Sequence, residues 1–286
     1  MTAHRFLSRR TALAGAAATG AGLLGASATS AAAATSVAAA PGTVHVPVPD
    51  GTRATVVLVH GAFADAGGWT PVTERLQRCG HQVIAAPNPL RGLAHDAAHL
   101  AAHLAAVPGP VVLVGHSYGG AVITQAAAAA GNVKALVYIA AFMPDAGEVL
   151  GELAGRFPGS RLEAALTQVP VPGPDGSPSA DLYIRPDRFS EVFAQDVPGS
   201  VTRIMAAGQR PLSATAFTDR CSAAAWRTLP SWALVSSQDR GIVPELQRFQ
   251  ARRAGSRTTE VASSHLPLHS KPDAVVSVVR AAARTV

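Results

Sequence analysis

A serine between two glycines is the first feature of this chain that could do chemistry. Residues 115–119, GHSYG, fit the pattern G-x-S-x-G, with four apolar residues before them and small residues after them. This context predicts a sharp turn between a buried strand and a helix, where Ser117 is strained, exposed and able to act as a nucleophile. Side chains in place of Gly115 and Gly119 should collide with the neighbouring strand and helix. The alternative is that Ser117 merely caps the helix.

A serine hydroxyl attacks efficiently only when a base removes its proton, and the usual base is a histidine. Two histidines, His265 and His269, follow Ser117 in the chain. His265 comes directly after the strand-like segment RTTEVASS, so it should lie in a loop at the carboxyl end of that strand. His269 lies four residues later, where the last helix approaches. We therefore predict His265 as the base and His269 as an ordinary surface residue.

The base needs an acid that fixes its tautomer. Asp239 ends the strand-like segment SWALVSSQD and should lie at the same edge of the sheet as the serine. Its alternative interpretation is a turn aspartate in SSQDRG. Asp145, which follows the strand-like VKALVYIAAF, is the rival for the acid. We predict Asp239, which gives the chain order serine, acid, histidine.

Attack on a carbonyl carbon creates an oxyanion, which two backbone N–H groups must stabilise. Tyr118, the residue after the serine, should supply one of them. Ala62 should supply the other, because the loop HGAFADAGGW contains small residues that let the backbone approach a substrate. His60 and His116 flank these positions, and we predict that they orient the loops by hydrogen bonds and take no part in catalysis.

His95, His99 and His103 recur at intervals of four and could bind a metal from one side of a helix. The apolar stripe of the same helix consists of Leu93, Leu100, Leu104 and Val107. This stripe should turn the histidines toward solvent or its margin, and no thiolate or carboxylate converges on them. We therefore predict no metal. The sequence contains no P-loop or dinucleotide-binding pattern either, so we predict no cofactor.

The segments around these residues alternate between strand-like and helix-like patterns. This alternation predicts an α/β fold with a mostly parallel, doubly wound sheet covered by helices on both faces. Between about 145 and 228 the alternation stops, and helix-like pieces and the Pro/Gly-rich VPVPGPDGSPSAD appear without a convincing strand. We predict that residues 35–286 form one domain of this class, with an inserted helical cap at about 145–228.

Residues 1–34 have the layout of an export signal: a basic start, an Ala/Gly/Leu run and then small residues. The segment SRRTAL resembles the twin-arginine motif, although Ala12 stands where that motif prefers phenylalanine. The apolar run is short and glycine-rich, which favours a cleaved signal over a membrane anchor. We predict a secreted or extracytoplasmic protein, exported by the twin-arginine pathway, with no stable membrane association after cleavage.

The formal net charge of +6 belongs partly to this signal, which contributes three arginines and no acids. The remaining charges nearly balance and form no basic cluster, so nucleic acid is not an expected partner. The chain has two cysteines, Cys79 and Cys221. Two cysteines do not make a disulfide framework, and we expect unpaired, partly buried thiols.

Four segments, VLVHGAF, LVGHSYGG, SSQDRGIVPELQ and SSHLPLHSKPDAV, resemble the α/β-hydrolase superfamily. Within that superfamily, these segments resemble the small esterases grouped with plant methylesterases, hydroxynitrile lyases and bacterial pyrethroid-type hydrolases. The resemblance implies a catalytic triad of Ser117, Asp239 and His265. The lyases of that branch carry a threonine and a lysine where this chain has Gly61 and Leu266. The resemblance therefore favours ester hydrolysis over cyanohydrin cleavage.

These observations predict a serine hydrolase that cleaves carboxylic esters through an acyl-enzyme. Apolar cap residues indicate a hydrophobic small-molecule ester; they include Leu182, Phe189, Phe193 and Met205. One alternative is a cofactor-free lyase or perhydrolase on the same scaffold. Another is a non-catalytic protein that binds a small ligand in the same pocket. A lactone or amide substrate is also open.

Overall fold

The structure, a computed structural model, describes residues 53–173 and 176–286. The proposed signal at 1–34 and the strand-like segment TVHVPVPDG lie outside the described residues. Strands are numbered in chain order: β1 Thr55–Val59, β2 Val83–Ala86, β3 Val111–His116, β4 Val133–Ile139, β5 Leu166–Pro172, β6 Pro178–Ile184, β7 Leu212–Ser213, β8 Ser231–Ser236 and β9 Arg257–Val261.

The helices are numbered in the same way. They are α1 Thr70–Arg78, α2 Leu93–Ala105, α3 Tyr118–Ala126, α4 Leu150–Ala154, α5 Leu162–Ala165, α6 Pro186–Phe193, α7 Gly199–Ala207, α8 Pro244–Arg253, α9 Pro267–Ser270 and α10 Pro272–Ala283. Within the described part of the chain, no helix is both long enough and apolar enough to cross a membrane.

Six strands form a parallel sheet in the order β2-β1-β3-β4-β8-β9. The chain moves outward from β1 to β2 and then returns to β3 on the other side of β1. Because such crossovers are right-handed, α1 and α2 must cover opposite faces of the sheet. Accordingly, α1 packs beside α10 and α2 packs beside α3. The predicted α/β class with a doubly wound parallel sheet is confirmed.

The central strands are mostly apolar because both of their faces are covered. Every residue of β1, β3 and β8 is buried, whereas β9 at the edge is mostly exposed. All six strands run in the same direction. Their carboxyl ends therefore meet at one edge, called the rim below, and loops after β1, β3, β8 and β9 meet there.

The cap contains three strands that the sequence analysis did not predict. Strands β5 and β6 pair as an antiparallel hairpin, and β7 adds to β6. The expectation of a cap without strands is therefore wrong. Strand β5 was not predicted because it contains Pro170 and Pro172. It is an edge strand with mostly exposed residues. Proline is tolerated at a sheet edge because its missing N–H need not cost a ladder hydrogen bond there.

Two of the helix-like cap segments form the helices α6 and α7 as expected. The third, SATAFTDRCSAAAW, forms only two short 3-10 helices, Ala214–Phe217 and Ala225–Arg227. Asp219 lies between them, and its carboxylate accepts a 2.7 Å hydrogen bond from the amide of Leu93. This contact satisfies an unpaired N–H group at the start of α2, and such a tertiary contact cannot be read from local helix propensity.

The histidines of α2 lie away from its buried stripe. His95 and His99 are exposed and His103 is half-buried, while the four apolar residues of the predicted stripe are all buried. Both cysteines are free. Cys221 is buried, but Cys79 is exposed, so the expectation of partial burial is wrong for Cys79. Cys79 lies just beyond the last turn of α1, where the chain turns at the surface.

Candidate active site

Ser117 occupies a strained turn between β3 and α3. Its φ of 56° lies in the left-handed region, which a residue with a side chain seldom adopts. The flanking glycines permit this turn: a Cβ on Gly115 would lie 2.6 Å from the carbonyl oxygen of Gly119, and one on Gly119 would lie 2.6 Å from that of Val59. The predicted reason for both glycines is confirmed.

The side chain of Ser117 makes no capping hydrogen bond to α3. Instead, its Oγ lies 2.8 Å from Nε2 of His265. Nδ1 of the same imidazole lies 2.6 Å from Oδ2 of Asp239. The structure thus joins the three side chains that were predicted to meet, which come from the loops after β3, β8 and β9.

The carboxylate of Asp239 is fully buried, and its two oxygen atoms act as hydrogen-bond acceptors. Oδ1 accepts from the amides of Gly241 at 2.7 Å and Ile242 at 3.0 Å, and Oδ2 accepts from Nε2 of Gln247 at 2.7 Å. An ionised carboxylate cannot donate, so Nδ1 of His265 must carry the proton between them. Nε2 is then left with a lone pair directed at the Ser117 hydroxyl.

Gln247 is a partner that the sequence analysis missed. It lies on α8, where it is buried beside Leu246 and near Gln250. A buried amide needs partners, and Gln247 also donates to the carbonyl oxygen of Ile242. Two glutamines on the apolar side of a helix are a signal that could have identified this contact.

The two rival residues lie elsewhere. Asp145 forms an ion pair with Arg227, whose Nε donates to Oδ1 at 2.8 Å. This guanidinium holds the pKa of Asp145 below its usual value. His269 is half-buried and borders a surface cavity with Met205, where its Nε2 has no hydrogen-bond partner among the described residues. Neither makes a hydrogen bond to Ser117 or His265.

The two residues predicted to bind the oxyanion, Ala62 and Tyr118, border the same cavity as Ser117. Neither backbone N–H donates a hydrogen bond to the described part of the chain. Gly61 explains how the Ala62 loop comes so close, because a Cβ on Gly61 would lie 2.6 Å from Cβ of Ser117. Free amides beside a nucleophile are the donors that an oxyanion requires.

Tyr118 is fixed by a partner that the sequence analysis missed. Its hydroxyl donates a 2.8 Å hydrogen bond to Asp96, a buried carboxylate on α2. Asp96 also accepts from the amide of Arg91. Burial, followed by the nearby charge of Asp96, raises the pKa of Tyr118 well above its ordinary value. The phenol therefore remains protonated and holds α3 against α2.

His60 and His116 position the loops of the rim through hydrogen bonds, as hypothesised. Nδ1 of His60 donates to the carbonyl oxygen of Gly61 at 2.9 Å, and Nε2 accepts from the amide of Asn88 at 3.0 Å. Burial lowers the pKa of His60 to about 4, so its ring is neutral. Nε2 of His116 donates to the carbonyl oxygen of His265 at 2.8 Å, and burial likewise lowers the pKa of His116.

Ser117 faces a closed apolar cavity under the cap. The residue is 6% exposed, so the expectation of an exposed hydroxyl is wrong, because the cap covers the turn. The cavity walls include Phe63, Phe142, Phe193 and Ile242. Among the described residues that border the cavity, none is a lysine or an arginine.

The four cap residues expected to contact a substrate have different positions. Phe193 borders the cavity beside Ser117, and Leu182 borders a neighbouring cavity in the cap. Met205 borders a surface cavity near His269. Phe189 borders none of these cavities: it is fully buried, and its ring packs 5.1 Å from that of Phe193.

Consecutive cap residues also contact the loops that carry Asp239 and His265. Nε2 of Gln195 donates to the carbonyl oxygen of Gln238 at 2.6 Å, next to Asp239. Oδ2 of Asp196 accepts from the amide of Ser264 at 2.9 Å, next to His265. The cap therefore contacts these two loops at the residues next to Asp239 and His265.

Solved structures with the same fold include ester hydrolases. A methylesterase from Arabidopsis superposes with a TM-score of 0.68 at 19% identity, over 82% of this chain and 100% of that one. A pyrethroid hydrolase from Sphingobium faniae superposes with a TM-score of 0.65 at 22% identity, over 81% and 97%. At these identities the likeness establishes the fold.

Curated relatives are similar over shorter stretches. An α/β hydrolase of Aspergillus novofumigatus is 29% identical over 188 residues, which are 60% of this chain and 70% of that protein. A carbendazim-hydrolysing esterase of a Nocardioides species is 38% identical over 112 residues, 34% of this chain and 46% of its own length. Residues 56–278, most of the chain, match the model of the α/β hydrolase family. The chain therefore belongs to the α/β hydrolase family.

Proposed function

We propose that this protein is a serine hydrolase that cleaves carboxylic esters through an acyl-enzyme intermediate. The observation that supports this most strongly is the continuous chain of hydrogen bonds from Asp239 through His265 to Ser117. The order of this chain, from carboxylate through imidazole to hydroxyl, is the one that general-base activation of a serine requires. The esterases among its relatives support the same class of substrate.

In the first half of the reaction, Ser117 Oγ bonds to the ester carbonyl carbon while His265 Nε2 takes the hydroxyl proton. The carbonyl electrons move onto oxygen, and the amides of Ala62 and Tyr118 donate to that oxyanion. Asp239 stabilises the imidazolium that forms. When the oxyanion collapses, the bond to the alcohol oxygen breaks, and His265 gives its proton to the departing alcohol.

In the second half, a water molecule replaces the alcohol. His265 removes a proton from this water as its oxygen bonds to the acyl carbon. The second oxyanion is held by the same two amides, and its collapse breaks the bond to Ser117 Oγ. The proton on His265 returns to the serine, the carboxylic acid leaves, and the enzyme is restored without any cofactor.

The walls of the cavity favour a neutral, apolar ester. Aromatic and aliphatic side chains surround Ser117. A cyanohydrin lyase on this scaffold would need a cation to stabilise the departing cyanide, and the position after His265 holds Leu266, which is buried. At Gly61 there is no room for the threonine of those lyases, because a Cβ would touch Ser117.

Burst kinetics with p-nitrophenyl acetate test the proposal. An acyl-enzyme whose hydrolysis is slow releases one equivalent of p-nitrophenol quickly and the rest more slowly. We expect this burst from the parent protein, and neither burst nor turnover from Ser117→Ala. Should the parent release no p-nitrophenol while Ser117→Ala binds candidate ligands as tightly as the parent, the protein is a ligand-binding member of the family and the proposal is wrong.

A further inference from the structure

Two cavities of very different size share walls beneath the cap. The catalytic cavity beside Ser117 has a volume of about 20 Å³, and the second cavity, called the cap chamber below, has a volume of about 370 Å³. Phe142, Leu162, Phe217 and Gly241 border both of them. These four residues therefore form a wall that the cap chamber shares with the cavity of Ser117.

The cap chamber has an apolar interior and a polar mouth. Leu166 of β5 and Leu182 of β6 border it from the hairpin, and Ala154 borders it from α4. Glu163 and Gln168 also border the chamber and are exposed, so they lie where it meets solvent. A chamber of this kind favours an apolar group over a charged one.

The volumes of the two cavities limit where the arms of an ester could bind. A cavity of about 20 Å³ holds roughly one water molecule, which is too little for either arm of an ester. The 370 Å³ of the cap chamber lies within the range of roughly 300–1,000 Å³ that is usual for small-molecule sites. A substrate whose carbonyl lies beside Ser117 must therefore extend past the shared wall.

The shared wall has a fixed part and a movable part. Phe142 is buried, and its amide donates to the carbonyl oxygen of Ser117 at 3.1 Å, while Gly241 has no side chain to move. Leu162 and Phe217 are half-buried members of short cap elements, α5 and the 3-10 helix Ala214–Phe217. A change of rotamer at these two residues is the simplest way to join the cavities.

We infer that the substrate is an ester with one small arm and one large apolar arm, and that Leu162 and Phe217 form a movable partition that admits the large arm to the cap chamber. This inference rests on the proposed ester hydrolysis and adds its substrate class and specificity residues. The scissile carbonyl lies beside Ser117, and the large arm lies among Leu166 and Leu182.

The test uses three esters and the purified full chain, with acid release followed in a pH-stat. Methyl acetate has two small arms, methyl decanoate has a large acyl arm, and decyl acetate has a large alcohol arm. We expect kcat/KM for at least one of the large esters to exceed that for methyl acetate. The better of the two identifies the arm that enters the cap chamber.

Variants then alter the chamber or its partition. Ala154→Trp fills the chamber and should lower the kcat/KM ratio of the preferred large ester to methyl acetate by roughly tenfold or more. Phe217→Ala opens the partition and should raise that ratio. Ala164→Trp is the matched control: Ala164 lies on α5, is exposed and borders neither cavity, so the ratio should not change.

The inference is overturned if the parent does not prefer either large ester, or if Ala154→Trp and Phe217→Ala both leave the ratio unchanged. Circular dichroism melting shows whether each variant is folded. If Ala154→Trp does not fold, the inference is tested by the kcat/KM ratio of Phe217→Ala alone. A small fluorophosphonate, with the label located by mass spectrometry, separates the two proposals. Labelling of Ser117 without a size preference overturns only this inference, whereas no labelling and no hydrolysis overturn both.

Discussion

The rim holds Ser117, Asp239 and His265 in buried, hydrogen-bonded positions, while the outer strand β5 of the cap is mostly exposed. Asp239 accepts four hydrogen bonds, and Ser117 lies in a turn where neighbouring backbone leaves no space for further side chains. Strand β5, in contrast, presents most of its residues to solvent, including Val169 at 46% exposure.

In the proposed function, the rim carries out the reaction and the cap selects the substrate. Catalysis needs groups held within a fraction of an ångström, which burial and dense hydrogen bonding provide. Recognition of an apolar arm needs volume and side chains that can move, which the cap provides. The two regions meet where Gln195 and Asp196 bind the loops of Asp239 and His265.

The largest effect is expected from the buried carboxylate of the rim. In Asp239→Asn the amide no longer enforces a proton on Nδ1 of His265, so Nε2 loses its role as base, and kcat should fall by about 10⁴-fold. Asp145→Asn is the control, because Asp145 is paired with Arg227 and should leave kcat unchanged. The comparison uses p-nitrophenyl acetate; an equal fall in both variants would remove Asp239 from its proposed role.

A smaller effect is expected from the neutral histidines of the rim. Burial lowers the pKa of His60 to about 4, below its unfolded value of 6.5, so the unfolded state binds more protons between these pH values. The contribution of neutral His60 to stability is therefore fully present above pH 6.5 and is lost as the pH falls toward 4. From His60 alone, the free energy of unfolding should fall by about 2 kcal/mol between pH 7.5 and pH 5.

Urea unfolding at the two pH values measures this loss. His116 is also buried, and its lowered pKa adds to the loss in the same direction. A free energy of unfolding that is the same at pH 5 and pH 7.5 would contradict neutral, buried histidines at the rim.

The smallest effect tests the contact between cap and rim. Asp196→Ala removes the acceptor of the Ser264 amide, which should loosen the loop of His265 and lower kcat by roughly tenfold with little change in KM. Asp196→Asn keeps an acceptor oxygen and should restore most of kcat. Asp187→Ala, an exposed change on α6, is the control. If kcat is unaffected by Asp196→Ala, the cap does not position the base.

The same comparison explains how far the sequence could predict the structure. Strands β3, β4 and β8 have mostly apolar patterns, and the glycines around Ser117 mark its turn, so the sheet and the meeting of Ser117, Asp239 and His265 at the rim could be predicted from local patterns. Strand β5 has exposed positions and two prolines, so its pairing with β6 is decided by a partner strand and not by its own composition.

Contacts between distant segments were not predictable for a related reason. Asp196 is an ordinary polar residue after α6 in the sequence, and only the folded cap brings it within 2.9 Å of the Ser264 amide. Gln247 was a different case, because a buried position for a polar residue on α8 could have been inferred from its neighbours Leu246 and Ala251.

The most direct test of the central claim is the identity of the residue that carries the acyl group. The parent protein is mixed briefly with p-nitrophenyl acetate, quenched in acid, digested and analysed by mass spectrometry. We predict an acetyl group on the peptide that contains Ser117, at the side chain of Ser117, and no acetylated peptide from Ser117→Ala. An acetyl group on another residue, or continued turnover by Ser117→Ala, would contradict the proposed mechanism.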